Sequence, residues 1–308
     1  MGVMIDGIYH VDDPGQGTGS DGSFQRAKST LRHWIAADGS SGFAPEKGRY
    51  HLFVSRNCPW AHRTLLARLF FDLEEDISVS VARPRRTDQG WIFDGDGPFS
   101  DPLLGASAIH EVYARQRPEY TGRLTVPVLW DKKTEQIVSN ESADIIRMLG
   151  AFGKGITLCP ETLRQSIDDW NGRIYAGFNN GVYRAGFART QEAYDKAVAE
   201  VFALLDSIES HLESSTYLTG DSFTEADLRF FPTLVRFDVA YHYAFRCNLR
   251  RLTDYPHLWN YARRIYHMRG VAQTVDFDVY KQGYFSPSEA RNPLGIVPAG
   301  PIIDWALD

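Results

Sequence analysis

The spacing of apolar and polar positions changes character twice along the chain. Up to about residue 45, Gly, Asp and Ser dominate, and only Phe24, Leu31, Trp34 and Ile35 offer apolar anchors, so residues 1–45 are expected to form an N-terminal extension lying over the main body. The run Tyr50-His51-Leu52-Phe53-Val54-Ser55 then predicts a short buried strand. Asn57-Cys58-Pro59 breaks it ahead of an apolar-periodic helix from Trp60 to about Phe71, and a second strand follows over Ile77 to Ala82. After a loop rich in Gly, Asp and Pro that carries Trp91, the spacing predicts a helix from Ser107 to Arg117. Val126-Pro127-Val128-Leu129-Trp130 reads as a strand entered through a proline, Asp131 to Glu135 as a turn and Gln136 to Ser139 as the returning strand of a hairpin. Ser139-Asn140-Glu141-Ser142 opens a further helix through Ile145, Ile146 and Leu149.

The order β-α-β-α-β-β-α over about a hundred residues is that of a thioredoxin-like α/β domain, placed here at 46–152. From Glu161 to about Tyr280 strand signals give way to helical ones, the clearest being Gln191 to Leu212, with Val198, Val201, Phe202, Leu205 and Ile208 at helical spacing. An all-α C-terminal domain is therefore expected at 160–285. Gly153 to Pro160 reads as the linker, and the Pro- and Gly-rich residues 286–308 as a tail that wraps rather than folds alone.

A chain of 308 residues is long enough for two domains, each with its own core, and 43% hydrophobic with 23% charged residues is a globular composition. The formal net charge of −6 gives no electrostatic footprint for nucleic acid or an anionic membrane. No run of eighteen apolar residues is present and the first thirty residues lack a leader-like apolar stretch, so a cytoplasmic protein is expected, with neither membrane nor nucleic acid as partner. The three cysteines, Cys58, Cys159 and Cys247, are odd in number and far apart, which argues for reduced thiols. His51 and His62 flank Cys58 without ligand spacing, and no metal site is expected.

Cys58 is the residue with chemistry written around it. A thiolate at a helix start is favoured by unpaired backbone N–H groups and by the positive end of the helix dipole. Ala61 stands where a dithiol oxidoreductase would carry its second cysteine, so a mixed disulfide on Cys58 must be resolved by an external thiol, and the abundant cytosolic one is glutathione. The competing reading, a buried small hydrophobe, is assigned to Cys159 and Cys247. Arg63, one turn further, could assist the thiolate electrostatically, and Arg246, Arg250, Arg251, Arg263 and Arg264 could face glutathione or a subunit boundary, but a solvated helix face is the expected reading for all of them.

Two further constellations follow in order. A proline just ahead of the third strand of such a domain is often cis, and Val126 can then pair its N–H and C=O with a cysteinyl peptide; a plain edge-strand proline is the alternative. At the next helix start, Ser142 and local N–H groups can hold a carboxylate while Glu141 takes an ammonium, the two charges of a γ-glutamyl group; a simple helix cap is the alternative. Ser222-Phe223-Thr224-Glu225-Ala226-Asp227 carries a capping box, with Asp227 three residues after Thr224, and is assigned to folding.

With Asn57-Cys58-Pro59-Trp60-Ala61-His62-Arg63, Thr125-Val126-Pro127-Val128-Leu129-Trp130-Asp131 and Ser139-Asn140-Glu141-Ser142-Ala143-Asp144-Ile145 in place, the chain resembles the glutathione transferases. It is similar more narrowly to their xi class, the glutathionyl-hydroquinone reductases, through Asn179-Asn180-Gly181-Val182-Tyr183-Arg184-Ala185-Gly186-Phe187-Ala188, Arg236-Phe237-Asp238-Val239-Ala240-Tyr241-His242 and Cys247-Asn248-Leu249-Arg250-Arg251-Leu252. The resemblance implies glutathione as co-substrate, bound by Cys58, Trp91, Arg123, Val126, Glu141 and Ser142, with Trp91 and Arg123 carried over by loop position. It also implies an aromatic-substrate site with catalytic tyrosines at Tyr183 and Tyr284, a homodimer, and reduction of glutathionyl-hydroquinones through a Cys58–glutathione disulfide. Other cysteine-type activities stay open at this point: dehydroascorbate reduction, thiol transfer, reductive dehalogenation, and a non-catalytic interaction module.

Overall fold

A strand can pair in parallel with its successor only if a crossover carries the chain back, and the segment around Cys58 is such a crossover. In the computed structural model, which describes residues 2–11, 17–289 and 291–307, the fully buried strand β3 (Tyr50–Val54) runs parallel to β4 (Ile77–Val81), and the helix α1 (Pro59–Phe70) connects them. On its other side β3 pairs antiparallel with β6 (Val128–Asp131), which pairs antiparallel with β7 (Gln136–Ser139), giving the sheet order β4-β3-β6-β7. Leu52 sits opposite Val79 on one neighbour and Leu129 on the other, and all three strands bury their apolar side chains at this register or nearly so. Two helices complete the unit: α2 (Ile109–Gln116), which packs on β7, and α3 (Ser142–Leu149), which packs on α1. The hairpin turn is closed by Arg49, which donates to both carboxylate oxygens of the fully buried Asp131 at 2.8 and 2.7 Å.

The chain divides into two units, one formed by 1–16 with 28–156 and the other by 17–27 with 157–308. Residues 1–45, expected as an extension, are thus shared between them. Within the first unit, β1 (Val3–Ile5) and β2 (Ile8–His10) form a hairpin around Asp6 and Gly7, both at positive φ, and β1 pairs with β5 (Gly122–Arg123). Strands of two and three residues show too little alternation to be read from spacing. Of the four expected anchors Ile35 is fully buried, whereas Trp34 is exposed.

The second unit contains no strand among its described residues. α4 (Arg164–Ile174) runs through one π-helical turn, Tyr175–Asn179, toward α5 (Gly181–Gly186). α6 (Gln191–Leu212) begins at a Thr190 cap and buries Val198, Val201, Phe202, Leu205 and Ile208, the face expected from their spacing. α7 (Glu225–Leu234) opens on the Thr224–Asp227 capping box, and a second π-helical turn, Phe237–Tyr241, leads into the short α8 (His242–Ala244). α9 (Pro256–Tyr266) and α10 (Phe277–Tyr284) follow. The tail returns to this unit: Trp305 packs on Trp259, Tyr266 and Phe277, while Arg263 donates to the Ala306 carbonyl at 2.7 Å. Arg263 is therefore buried, not on a solvated face, because its guanidinium is needed to hold the tail's backbone. No helix among the described residues is long and apolar enough to cross a membrane.

Candidate active site

Cys58 occupies the cap position of α1 in extended conformation, with Pro59 as the first helical residue, where a missing N–H costs nothing. Its N–H donates to Ser55 O at 3.0 Å and its carbonyl accepts from His62 N at 2.9 Å, so the backbone holds the residue from both sides. The side chain is therefore placed at the end of the helix whose first N–H groups lack intrahelical acceptors. The thiol, 9% exposed, donates to the Val126 carbonyl at 3.5 Å. The Val126–Pro127 peptide is cis. Position 61, where a dithiol oxidoreductase would carry its second thiol, is the fully buried Ala61.

Glu141 caps α3. Its Oε1 accepts from Ala143 N at 3.1 Å and its Oε2 from Ser29 Oγ at 3.0 Å. Ser142, the first residue of that helix, is buried and its Oγ accepts from Arg63 Nη1 at 3.4 Å. Arg63 is only 1% exposed, with its guanidinium centre 4.4 Å from the Trp60 ring, which corrects the reading of a solvated face. The reason is that α1 is covered along nearly its whole circumference, burying His62 and Thr64 beside Arg63. A buried guanidinium requires acceptors, and the α3 helix start, 79 residues away in sequence, offers one.

Trp91 is buried; its carbonyl accepts from Ile109 N at 2.8 Å and the Arg86 guanidinium lies 5.2 Å from its ring. Arg123 is half-buried in β5, opposite Val3. The structure thus joins Cys58 directly to Val126 and ties Ser142 to α1 through Arg63, while Trp91 and Arg123 are set by their own local frameworks. Nearby, His51 bonds to Ser78 and Ser80 at 2.7 Å each, and burial pushes its imidazole down to about 4. Among the described residues no group of three His, Cys, Asp or Glu side chains is arranged to hold a metal ion.

In the helical unit, Tyr183 on α5 and Tyr284 at the end of α10 meet hydroxyl to hydroxyl at 2.8 Å. A third phenol, Tyr241, lies 2.7 Å from the Tyr284 hydroxyl and is fully buried. Spacing did not single it out; its only sequence signal is membership of the Arg236–His242 motif. Phe245 packs against all three rings, at 5.3 to 5.6 Å between centroids. It can do so because Gly186 has no Cβ: one there would fall 2.2 Å from Phe245 Cγ. Burial, then the neighbouring phenols, push the Tyr241 and Tyr284 hydroxyls well above the ordinary phenol range, so both stay protonated at neutral pH. Cys247 is fully buried and its thiol is pushed up to about 12 by that burial, which leaves it chemically inert.

A thioredoxin-like unit with one helix-cap thiol, followed by an all-helical unit, is the architecture of a glutathione-using transferase. The family models describing the glutathione S-transferase N-terminal and C-terminal domains match residues 57–151 and 191–264. The chain is 48% identical to the glutathionyl-hydroquinone reductase YqjG of Escherichia coli (strain K12), covering 98% of this chain and 95% of that one. It is 44% identical to the glutathionyl-hydroquinone reductase PcpF of Sphingobium chlorophenolicum, covering 98% and 96%. Among solved structures, a xi class transferase from Natrialba magadii superposes with a TM-score of 0.93 at 41% identity, covering all of this chain and 95% of that one. Glutathione-bound YqjG superposes with a TM-score of 0.89, covering 98% and 96%. The chain belongs to the glutathione S-transferase family, and within it to the xi class.

Proposed function

We infer that the protein is a glutathionyl-hydroquinone reductase that uses glutathione as its reductant. The observation that carries the reading is the lone thiol at the start of α1 with Ala61 one turn beyond it, which obliges an external thiol to complete any disulfide cycle. The substrate class is supported by two near-full-length relatives named for that activity and by the chain of phenols.

The Cys58 thiolate attacks the sulfur of a glutathionyl-hydroquinone. The S–S bond forms as the aryl C–S bond breaks, its electron pair passes to the ring carbon, and that carbon takes up a proton. The hydroquinone leaves and Cys58 carries glutathione as a mixed disulfide. A second glutathione attacks the glutathionyl sulfur and leaves as oxidised glutathione, returning Cys58 as a thiol. Over the cycle one glutathione thiol and the thioether sulfur of the substrate are oxidised to the disulfide, and one ring carbon is reduced. Tyr183 and Tyr284 stabilise the keto form of the ring and supply its proton, as positioned phenols can. Val126 pairs with the cysteinyl backbone, Ser142 and the first N–H groups of α3 hold the γ-glutamyl carboxylate, and Glu141 takes the ammonium. Arg123 offers a cation to a glutathione carboxylate, and Trp91 a ring to stack on the bound molecule. The same reading places the protein in the reducing cytoplasm as a homodimer, which light scattering on the purified protein checks.

The deciding experiment is intact-protein mass after mixing with a glutathionyl-hydroquinone, with chromatography of the released product. One glutathione on Cys58 together with free hydroquinone supports the assignment. An adduct formed from mixed disulfides but never from the thioether would reassign the protein as a thiol transferase.

A further inference from the structure

The chain segment between the N-terminal hairpin and β3 serves both units in turn. Arg26 belongs to the helical unit. Its Nε donates to Asn180 Oδ1 at 2.8 Å, immediately before α5, and its guanidinium centre lies 4.7 Å from the Tyr183 ring and 5.4 Å from Phe24. Phe24 in turn packs on Phe187 at 5.3 Å, so one short stretch grips α5 at both ends. Three residues on, in the thioredoxin-like unit, Ser29 Oγ donates to Glu141 Oε2 at 3.0 Å, with the Asn140 carbonyl also in reach at 3.3 Å. The stretch is fastened there by Arg32, whose guanidinium donates to both oxygens of Asp144 at 2.6 and 2.7 Å. Two backbone bonds, Asn140 N to Leu31 O and His33 N to Val138 O, complete the attachment.

We propose that Arg26 and Ser29 are positioning residues, through which the N-terminal segment orients the Tyr183 phenol and the Glu141 carboxylate; this rests on the roles assigned to those two groups above. The Ala143 N–H alone leaves the Glu141 carboxylate free to swing about one bonded oxygen. The Ser29 hydroxyl fixes the second oxygen and so aims the remaining lone pairs at one ammonium position. Arg26 acts differently: a cation over a phenol ring holds the ring by its face and draws electron density from it, which favours the charge left on oxygen when the proton departs. Ser29 therefore serves glutathione binding, and Arg26 serves only a step that needs a proton from Tyr183.

Those roles separate in two assays on the full-length enzyme: glutathione-dependent reduction of a glutathionyl-hydroquinone, and of the mixed disulfide of glutathione with 2-mercaptoethanol, which needs no ring proton. S29A is expected to raise KM for both substrates about tenfold, equivalent to ~1.4 kcal/mol, with kcat unmoved, and S29T to restore KM. R26M, which keeps the apolar stem, is expected to lower kcat about tenfold on the hydroquinone substrate and to leave disulfide turnover unchanged. Wild-type constants in both variants overturn the proposal, as does an equal fractional loss by R26M on both substrates, the signature of packing alone. If the wild type turns over the disulfide but not the thioether, the function assigned above fails and the Arg26 role with it. The S29A values on the disulfide then still decide Ser29.

Discussion

The Cys58 thiol donates to the carbonyl of Val126, 68 residues away in sequence, across a gap of 3.5 Å. The cap of α1 and Val126, two residues ahead of β6, are thereby brought to one place: the proposed nucleophile and the backbone proposed to pair with the glutathione cysteinyl unit are neighbours. An attacking sulfur is useful only when the sulfur it attacks is delivered to it, and a strand-like backbone pairing does that without a dedicated side chain.

Replacing the nucleophile tests this arrangement first. Cys58→Ala is expected to abolish the glutathione adduct and to lower turnover by at least about three orders of magnitude, the scale on which covalent catalysis collapses when its nucleophile is removed. Intact mass and hydroquinone release, measured on the same sample, check it.

The phenol chain predicts a graded series. Tyr284 is bonded to both other hydroxyls, so Tyr284→Phe breaks two links where Tyr241→Phe breaks one. Tyr284→Phe should lower kcat on a glutathionyl-hydroquinone by about 10²-fold and Tyr241→Phe by less, with KM for glutathione unchanged in both. Steady-state kinetics decide the order; a larger effect at Tyr241 would count against Tyr284 as the centre of the chain.

Stability of the helical unit should depend on Asp227. Its buried carboxylate accepts from Leu218 N at 2.9 Å, Thr224 N at 2.8 Å and Tyr261 Oη at 2.8 Å. Asp227→Ala removes the acceptor of these three donors and of the Thr224 hydroxyl at 3.0 Å, and urea unfolding is expected to show a loss of about 3–5 kcal/mol.

His51 makes stability depend on pH. Burial holds its imidazole at about 4 in the folded protein, below the ordinary 6.5, and the ring stays neutral between Ser78 and Ser80. In that interval the unfolded chain binds the extra proton. The contribution is therefore complete above pH 6.5 and is lost as pH falls toward 4, by up to about 3 kcal/mol. His51→Gln should flatten the fall in unfolding free energy between pH 7 and 4.5.

The β3-α1-β4 unit, the β6–β7 hairpin and the buried face of α6 could all be read locally, because a short apolar run bounded by turn residues, or a long helical stripe, marks what must be buried. The places of Cys58, Val126, Glu141 and Ser142 in the fold were legible for a related reason. Each sits at a helix or strand start, where local residue chemistry dictates backbone geometry. Arg63 was misread because α1 is covered on nearly all sides, and no feature of the helix itself announces that covering or the acceptor 79 residues away that meets the buried guanidinium.

By itself, then, the sequence determined the β3-α1-β4 unit, the β6–β7 hairpin, the helix-cap cysteine without a second cysteine and the capped helix start at Glu141 and Ser142, since all of these depend on neighbours within a few residues. Only the tertiary structure decided that Tyr241 joins Tyr183 and Tyr284, that Arg63 lies buried beneath Ser142, and that the segment from Arg26 to Arg32 attaches first to α5 and then to α3. Those relations join residues up to 154 positions apart, and they arise where packed elements meet, not from any pattern the chain carries locally.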